Sequence, residues 1–165
     1  MNKVMMIGAV RAGKSTLTKV LLNESVDTAV KTQALNYESW IIDTPGEYLE
    51  NPMFYKSIIA TSLEASHVIY LQDATRINSN FPPNFASGIS KWPIGVVTKA
   101  FVEGANVEQA VWWLKQVIGQ APIVVTSAKE SELGISHIHA LVACNNLEEM
   151  RAYVAKHQDD YLFFA

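Results

Sequence analysis

The sequence predicts an α/β fold in which a mostly parallel central sheet is covered by helices on both faces. Three observations point to it. Short apolar runs at 4–7, 67–71, 93–97 and 123–125 alternate with segments whose apolar residues recur at helical spacing, the pattern of parallel strands joined by crossover helices. The first run leads through Gly8-Ala9-Val10-Arg11-Ala12-Gly13-Lys14-Ser15 straight into a helical pattern with Leu17, Val20 and Leu21 on one face. The polar motifs all fall where a strand run ends, which is where such sheets bind ligands.

The stretch from Gly8 to Ser15 reads G-x-x-x-x-G-K-S between a strand and a helix, the context of a phosphate-binding P-loop. Gly8 and Gly13 let the backbone curl so that successive amides point at an anion, and the positive end of the following helix adds to that field. Lys14 is expected to reach the β- and γ-phosphates and the Ser15 hydroxyl to hold Mg²⁺. The phosphate shell then comprises Gly8, Val10, Arg11, Ala12, Gly13, Lys14, Ser15 and Thr16. The expected class is a three-layer P-loop NTPase.

The elements follow in order. After the first strand and helix, residues 23–32 are polar and lack periodicity, so they read as a loop. Residues 33–37 and 39–42 read as short strands around a tight turn, the second closing on Asp43-Thr44-Pro45-Gly46. Phe54, Ile58 and Ile59 are in helical phase over 54–63, and a buried strand follows at 67–71. Pro82, Pro83 and Gly88 make 77–90 a loop with only a short helix. The strand at 93–97 ends on Thr98-Lys99, and Val107, Ala110, Val111, Leu114 and Ile118 fall on one helical face. The strand at 123–125 ends on Thr126-Ser127-Ala128-Lys129, and Ile135, Ile138, Leu141 and Val142 mark a helix after Gly134. Residues 1–144 make the nucleotide-binding domain. Residues 145–165 add a helix through Leu147, Met150, Tyr153 and Val154, and an apolar Tyr161-Leu162-Phe163-Phe164 end that either packs back or docks on a partner.

Composition excludes several classes. With 165 residues, 49% apolar and 18% charged, the chain is globular and large enough for one substantial core. A net charge of −3 with no Lys/Arg patch argues against nucleic-acid or membrane-surface binding. No run approaches the roughly 18 apolar residues a bilayer span needs, and the lone Cys144 allows no internal disulfide, so a cytoplasmic location is expected. The four histidines lack metal-ligand spacing: His137 and His139 face different directions on a helix, and His67 opens a strand.

Three further motifs refine the site. In P-loop proteins the Asp that closes the next strand serves Mg²⁺ and the Gly after it senses the γ-phosphate, which assigns Asp43 and Gly46. Thr32 is the residue of the preceding loop best placed to complete the metal shell. Thr98-Lys99 and Ser127-Ala128-Lys129 stand where guanine-nucleotide-binding switches carry their base-binding motifs, the Lys stem packing on the purine. Phe101 occupies the place of the Asp that accepts two hydrogen bonds from guanine. A phenyl ring accepts neither, so guanine and adenine nucleotides (GTP/GDP or ATP/ADP) are both open.

The order of these motifs, with Lys31-Thr32-Gln33 and Asp43-Thr44-Pro45-Gly46-Glu47-Tyr48-Leu49-Glu50-Asn51, resembles the EutP/PduV family, small P-loop proteins encoded with ethanolamine- or propanediol-utilisation bacterial microcompartments. The resemblance covers roughly residues 1–143. It implies a Ras-like G-domain fold, purine-nucleotide and Mg²⁺ binding, and a microcompartment shell or cargo protein as partner. Some members are linked to acetate kinase activity. Glu47 stands where many efficient GTPases place Gln, and Val10 crowds the side from which an external arginine would enter, with Arg11 beside it as a charge in cis. Lys14 and Glu47 are therefore the candidate catalytic residues of a slow GTPase-like switch, its turnover on the low side of the unassisted regulatory-GTPase range of about 10⁻⁴ to 10⁻² per second. The alternatives are an ATP-dependent acetate kinase and a degenerate nucleotide-binding module.

Overall fold

The structure, a computed structural model, describes residues 2–22, 36–38, 40–79, 81–127, 134–157 and 159–165, of which 36–38 by backbone alone. Thr32, Ala128 and Lys129 lie outside the described residues.

Seven strands form one sheet in the order β2-β3-β1-β4-β5-β6-β7. They are β1 (Val4–Ile7), β2 (Asn36–Glu38), β3 (Ile41–Asp43), β4 (His67–Asp73), β5 (Trp92–Thr98), β6 (Pro122–Val125) and β7 (Leu162–Phe164). The five central strands are parallel, and β2 and β7 run antiparallel at the two edges. Helices α1 (Lys14–Leu21), α2 (Glu47–Glu50), α3 (Tyr55–Ser62), α4 (Val107–Ile118), α5 (Ile135–Ala143) and α6 (Leu147–His157) cover it. This is the α/β architecture the alternation of strand and helix patterns predicts.

Why β1 is apolar at every position is plain from its two faces. Met5 and Ile7 pack toward α2, α3 and α4, with Ile42, Tyr70, Val97, Ile123 and Leu114. Val4 and Met6 pack toward α1, α5 and α6, with Leu17, Ile69, Val96, Val124, Ile138 and Met150. A strand alternates its side chains between faces, so only a sheet covered on both sides buries a continuous run. Each such side chain stabilises the fold by about 1.5–3 kcal/mol before entropy is counted.

β4 and the C-terminal segment differ from the pattern read in the sequence, while the 77–90 loop agrees with it. β4 runs two residues further than the apolar run, to Asp73, because Gln72 and Asp73 continue the ladder with Val97 and Thr98 of β5. The buried Gln72 side chain satisfies its amide on the carbonyls of Asp73 and Asn78 (both 3.3 Å). The 77–90 loop does contain one short helical turn (Phe85–Gly88), and Phe81 and Phe85 anchor it in a ring cluster with Tyr70. The apolar end of the chain is a strand: β7 pairs with β6 and packs the tail back onto the domain. The Arg151 guanidinium lies over the Phe164 ring, 4.6 Å from its centroid, a cation–π contact that ties α6 to β7. Asn145 and Asn146 start α6 through a reciprocal cap, Asn146 Oδ1 accepting the Glu149 amide (2.8 Å) and Glu149 Oε2 the Asn145 amide (2.7 Å).

His67 opens β4 fully buried, its Nδ1 2.7 Å from the Ser66 hydroxyl. Burial pushes its pKa below the ordinary value of 6.5, with the Cys144 backbone pulling the other way. The folded protein therefore binds this proton less tightly than the unfolded chain, and stability falls as pH drops through about 6.5 toward the folded value. The hydrogen-bonded Asp73, whose pKa is lowered from 3.8, acts only at much lower pH. Thermal melts at pH 7.5 and 5.5 should show the loss, and His67→Asn should flatten the difference; an unchanged slope would place the pH dependence elsewhere.

Candidate functional site

The loop between β1 and α1 curls as its sequence demands. Gly13 takes a left-handed φ of 103° at the N-cap of α1, a conformation that a side chain would strain. Arg11 adopts φ 66° without that freedom. Alternating left- and right-handed residues turn successive amides inward, the concavity that binds anions. Gly8 is tightly packed: a methyl there would stand 3.1 Å from Leu71 Cβ and 3.3 Å from Ala12 Cβ, so its neighbours would have to give by a few tenths of an ångström.

Lys14 fills the curl. Its side chain is 7% exposed, and Nζ donates to the Gly8 carbonyl at 3.0 Å and the Ala9 carbonyl at 3.4 Å. Burial lowers the pKa of the ammonium, and the Asp43, Glu47 and Glu50 carboxylates oppose that shift while Arg76 adds to it. Among the described residues the hydrogen-bond partners of this buried ammonium are backbone carbonyls, and phosphate oxygens make stronger, charge-assisted partners for it. Asp43 ends β3 with 3% exposure. Glu47 opens α2. The structure thus brings Lys14, Asp43, Glu47 and Gly46 to one end of the sheet.

The ends of other strands lock this loop in place. From β3, the Thr44 hydroxyl donates to the Met6 carbonyl (2.7 Å). From β5, the Thr98 hydroxyl donates to the Ala12 carbonyl (2.6 Å). Lys99, itself left-handed at φ 61°, donates to the Arg11 carbonyl (2.6 Å) and forms an ion pair with Asp73 (2.8 Å). Burial pushes the Asp73 carboxyl up, but bonds from Lys99 and Thr75 outweigh it and hold it below its ordinary range. The strain of two non-glycine residues at positive φ, of order 1–3 kcal/mol each, is offset where it arises by that bridge. Ser127 is buried at the end of β6, and the Ala100 amide donates to the neighbouring Thr126 carbonyl (3.1 Å).

Two site residues have contacts that the sequence alone does not assign, although Glu50 stands in the 43–51 stretch that carries the family resemblance. Arg76, in the loop after β4, donates to the Val10 carbonyl. Glu50 accepts the Val10 amide at 3.2 Å, tying α2 to the phosphate loop. Both contacts join residues at least 40 positions apart, and no motif spacing encodes them. Ser15 and Thr16 open α1 as expected. Phe101 stands two residues beyond Lys99 with its ring half exposed. Among the described residues no group of three or more His, Cys, Asp or Glu gathers as a metal site, and no helix is long and apolar enough to cross a membrane.

A lysine-bearing phosphate loop leaving β1, a buried Asp closing β3 and a Thr-Lys corner closing β5, all at one end of this sheet, define a P-loop nucleotide-binding protein of the G-domain fold. The comparison with solved structures agrees: the FeoB G-domain of Methanococcus jannaschii matches with a TM-score of 0.60 over 86% of this chain and 95% of that one, at 22% identity. The chain belongs to the PduV-EutP family (ethanolamine utilisation, propanediol utilisation), whose family model matches residues 1–144. It is 35% identical to the propanediol utilization protein PduV of Citrobacter freundii over 132 residues, 79% of this chain and 87% of that protein. It is also 30% identical to the probable acetate kinase EutP of Salmonella typhimurium over 151 residues, 90% of this chain and 94% of that protein.

Gly46 shows how tightly the two halves of the site approach. A Cβ at this position would lie 2.5 Å from the Val10 backbone nitrogen and 2.7 Å from its Cα, so Gly46→Ala must force the two backbones apart. The expected cost is about 2–3 kcal/mol, roughly 4–12 °C in Tm. A melting point within a degree of the parent would mean that the loops do not meet this closely.

Proposed function

We propose that this chain is a Mg²⁺-dependent purine-nucleotide switch that hydrolyses its bound triphosphate slowly and serves an ethanolamine- or propanediol-utilisation microcompartment through a shell or cargo protein. The observation that carries the reading is the buried Lys14 ammonium inside its own loop, beside a buried carboxylate. A polyphosphate tail replaces the Gly8 and Ala9 carbonyls as its partner, with the amides from Val10 to Thr16 around it.

The donor set suits Mg²⁺: the Asp43 carboxylate and the Ser15 hydroxyl are hard oxygens, and this ion takes one or two carboxylates and completes its shell with phosphate and water. Thr32 is the proposed third protein ligand. When bound, the ion neutralises charge on the phosphates. Asp43 holds its place from the end of β3, and Thr98 and Lys99 keep the loop open from the end of β5. Lys99, Thr98, Ser127, Ala128 and Lys129 are the proposed base-side residues.

The contact between Glu50 and the Val10 amide supplies the switch. A γ-phosphate approaching that amide repels the Glu50 carboxylate, so the contact at the far end of α2 holds with a diphosphate and breaks with a triphosphate. Gly46 and Glu47 at the start of α2 stay beside the loop. Glu47 explains slow turnover, since a second carboxylate near the γ-phosphate orients water but opposes the charge that builds there.

Calorimetric titration with Mg²⁺ and GDP or ADP tests the site. Lys14→Ala should weaken binding by at least about a hundredfold, the loss of roughly 2.7 kcal/mol; retained affinity would refute the phosphate loop. In single-turnover assays Glu47→Gln should raise hydrolysis by about tenfold, and no change would remove Glu47 from the reaction. Acetyl phosphate formed from ATP and acetate, dependent on Lys14, would replace the switch reading with the phosphotransfer for which the EutP relatives are named.

A further inference from the structure

We infer that Phe101 and the tail residue Tyr161 form an aromatic wall at the base end of the nucleotide site, which holds purine bases by ring contact and accepts adenine and guanine alike. This rests on the nucleotide-binding reading above. Two separate features of the fold place the rings there. β5 ends on Thr98 and the left-handed Lys99, and the Ala100 amide is fixed to the Thr126 carbonyl. Phe101 therefore emerges at the same end of the sheet as the phosphate loop, its ring 52% exposed. β7 runs antiparallel to β6, so the chain enters β7 at that same end, and the Tyr161 carbonyl accepts the Val125 amide at 2.9 Å.

The two rings meet edge to face, centroids 6.4 Å apart and planes at 84°, a favoured arrangement of aromatic quadrupoles. Tyr161 is pinned before it reaches the strand. Its amide donates to Asp159 Oδ1 (2.7 Å), and Asp159 Oδ2 pairs with His137 Nε2 (3.2 Å). Nδ1 of the same imidazole meets the Tyr153 hydroxyl (2.8 Å), so α5 and α6 both fix the tail. The chain beyond residue 144 thus delivers a ring to the position from which Phe101 has removed a carboxylate. An acceptor there would read the N1 and 2-amino donors of guanine; an aromatic face reads only a flat π-surface, which every base has.

Affinities of Mg²⁺ complexes of GDP, IDP and ADP, and of inorganic tripolyphosphate as a probe without a base, test the wall. The three nucleotides should bind the parent within about fivefold of one another, as stacking is tolerant of base identity. Phe101→Ala and Tyr161→Ala should each weaken all three by about tenfold, the equivalent of one stacking contact, and leave tripolyphosphate unchanged. Tyr161→Leu, which keeps the bulk that β7 packs, should show the same loss. Phe101→Asp should raise the preference for GDP over ADP by at least about tenfold. A parent that prefers GDP to IDP and ADP by about fiftyfold or more, or Ala variants with unchanged nucleotide affinity, would overturn the wall while leaving the phosphate site intact. Failure of tripolyphosphate to bind the parent would overturn the phosphate site, and the wall with it.

Discussion

A single ammonium group buried inside a turn of backbone carbonyls sets the terms for the rest of this molecule. Lys14 cannot be solvated by water where it sits, and the Gly8 and Ala9 carbonyls solvate it only as neutral dipoles. Three carboxylates, from β3 and from both ends of α2, provide the long-range compensation that keeps the charge in place. A cation held this way can exchange its neutral carbonyl partners for phosphate oxygens, which make stronger, charge-assisted bonds.

Holding such a loop open requires rigidity from outside it, because its own hydrogen bonds are few. That rigidity comes from the ends of parallel strands: Thr44 after β3, and Thr98 and Lys99 at and after the end of β5. The two long aliphatic cores beneath fix these ends to within the tolerance of packed side chains. The Lys99 bridge couples two strained residues, so the loop after β1 and the corner after β5 are mechanically one unit. The exception is α2, four residues long and attached through Glu50 and the close approach of Gly46, and it is the element best placed to respond to what the loop holds.

Much of this was legible in the chain. Gly8, Gly13, Lys14 and Asp43 announce themselves because their chemistry needs fixed spacing and a strand before it. The two-sided burial of β1 and β4 was readable because a short, unbroken apolar run between turn residues suits a strand covered on both faces. Arg76 and Glu50 were not readable, as each acts on Val10 across a gap that only the folded sheet closes. The strand character of residues 162–164 was hidden because three apolar residues look alike in a strand, a buried loop or a docking tail, and only pairing with β6 decides between them. Phe101 was legible as a departure, but the ring that meets it belongs to Tyr161, in a part of the chain beyond the region that the family shares.

Where a polyphosphate lies in this protein decides between a nucleotide switch and any other role for the buried lysine. A crystal structure of the chain grown with Mg²⁺ and a nucleoside diphosphate shows that position directly. The β-phosphate should sit within the amides of residues 10–16, with Lys14 Nζ transferred from the Gly8 carbonyl to a phosphate oxygen. A structure in which Lys14 keeps its two carbonyls, with the nucleotide bound elsewhere, would contradict the nucleotide switch.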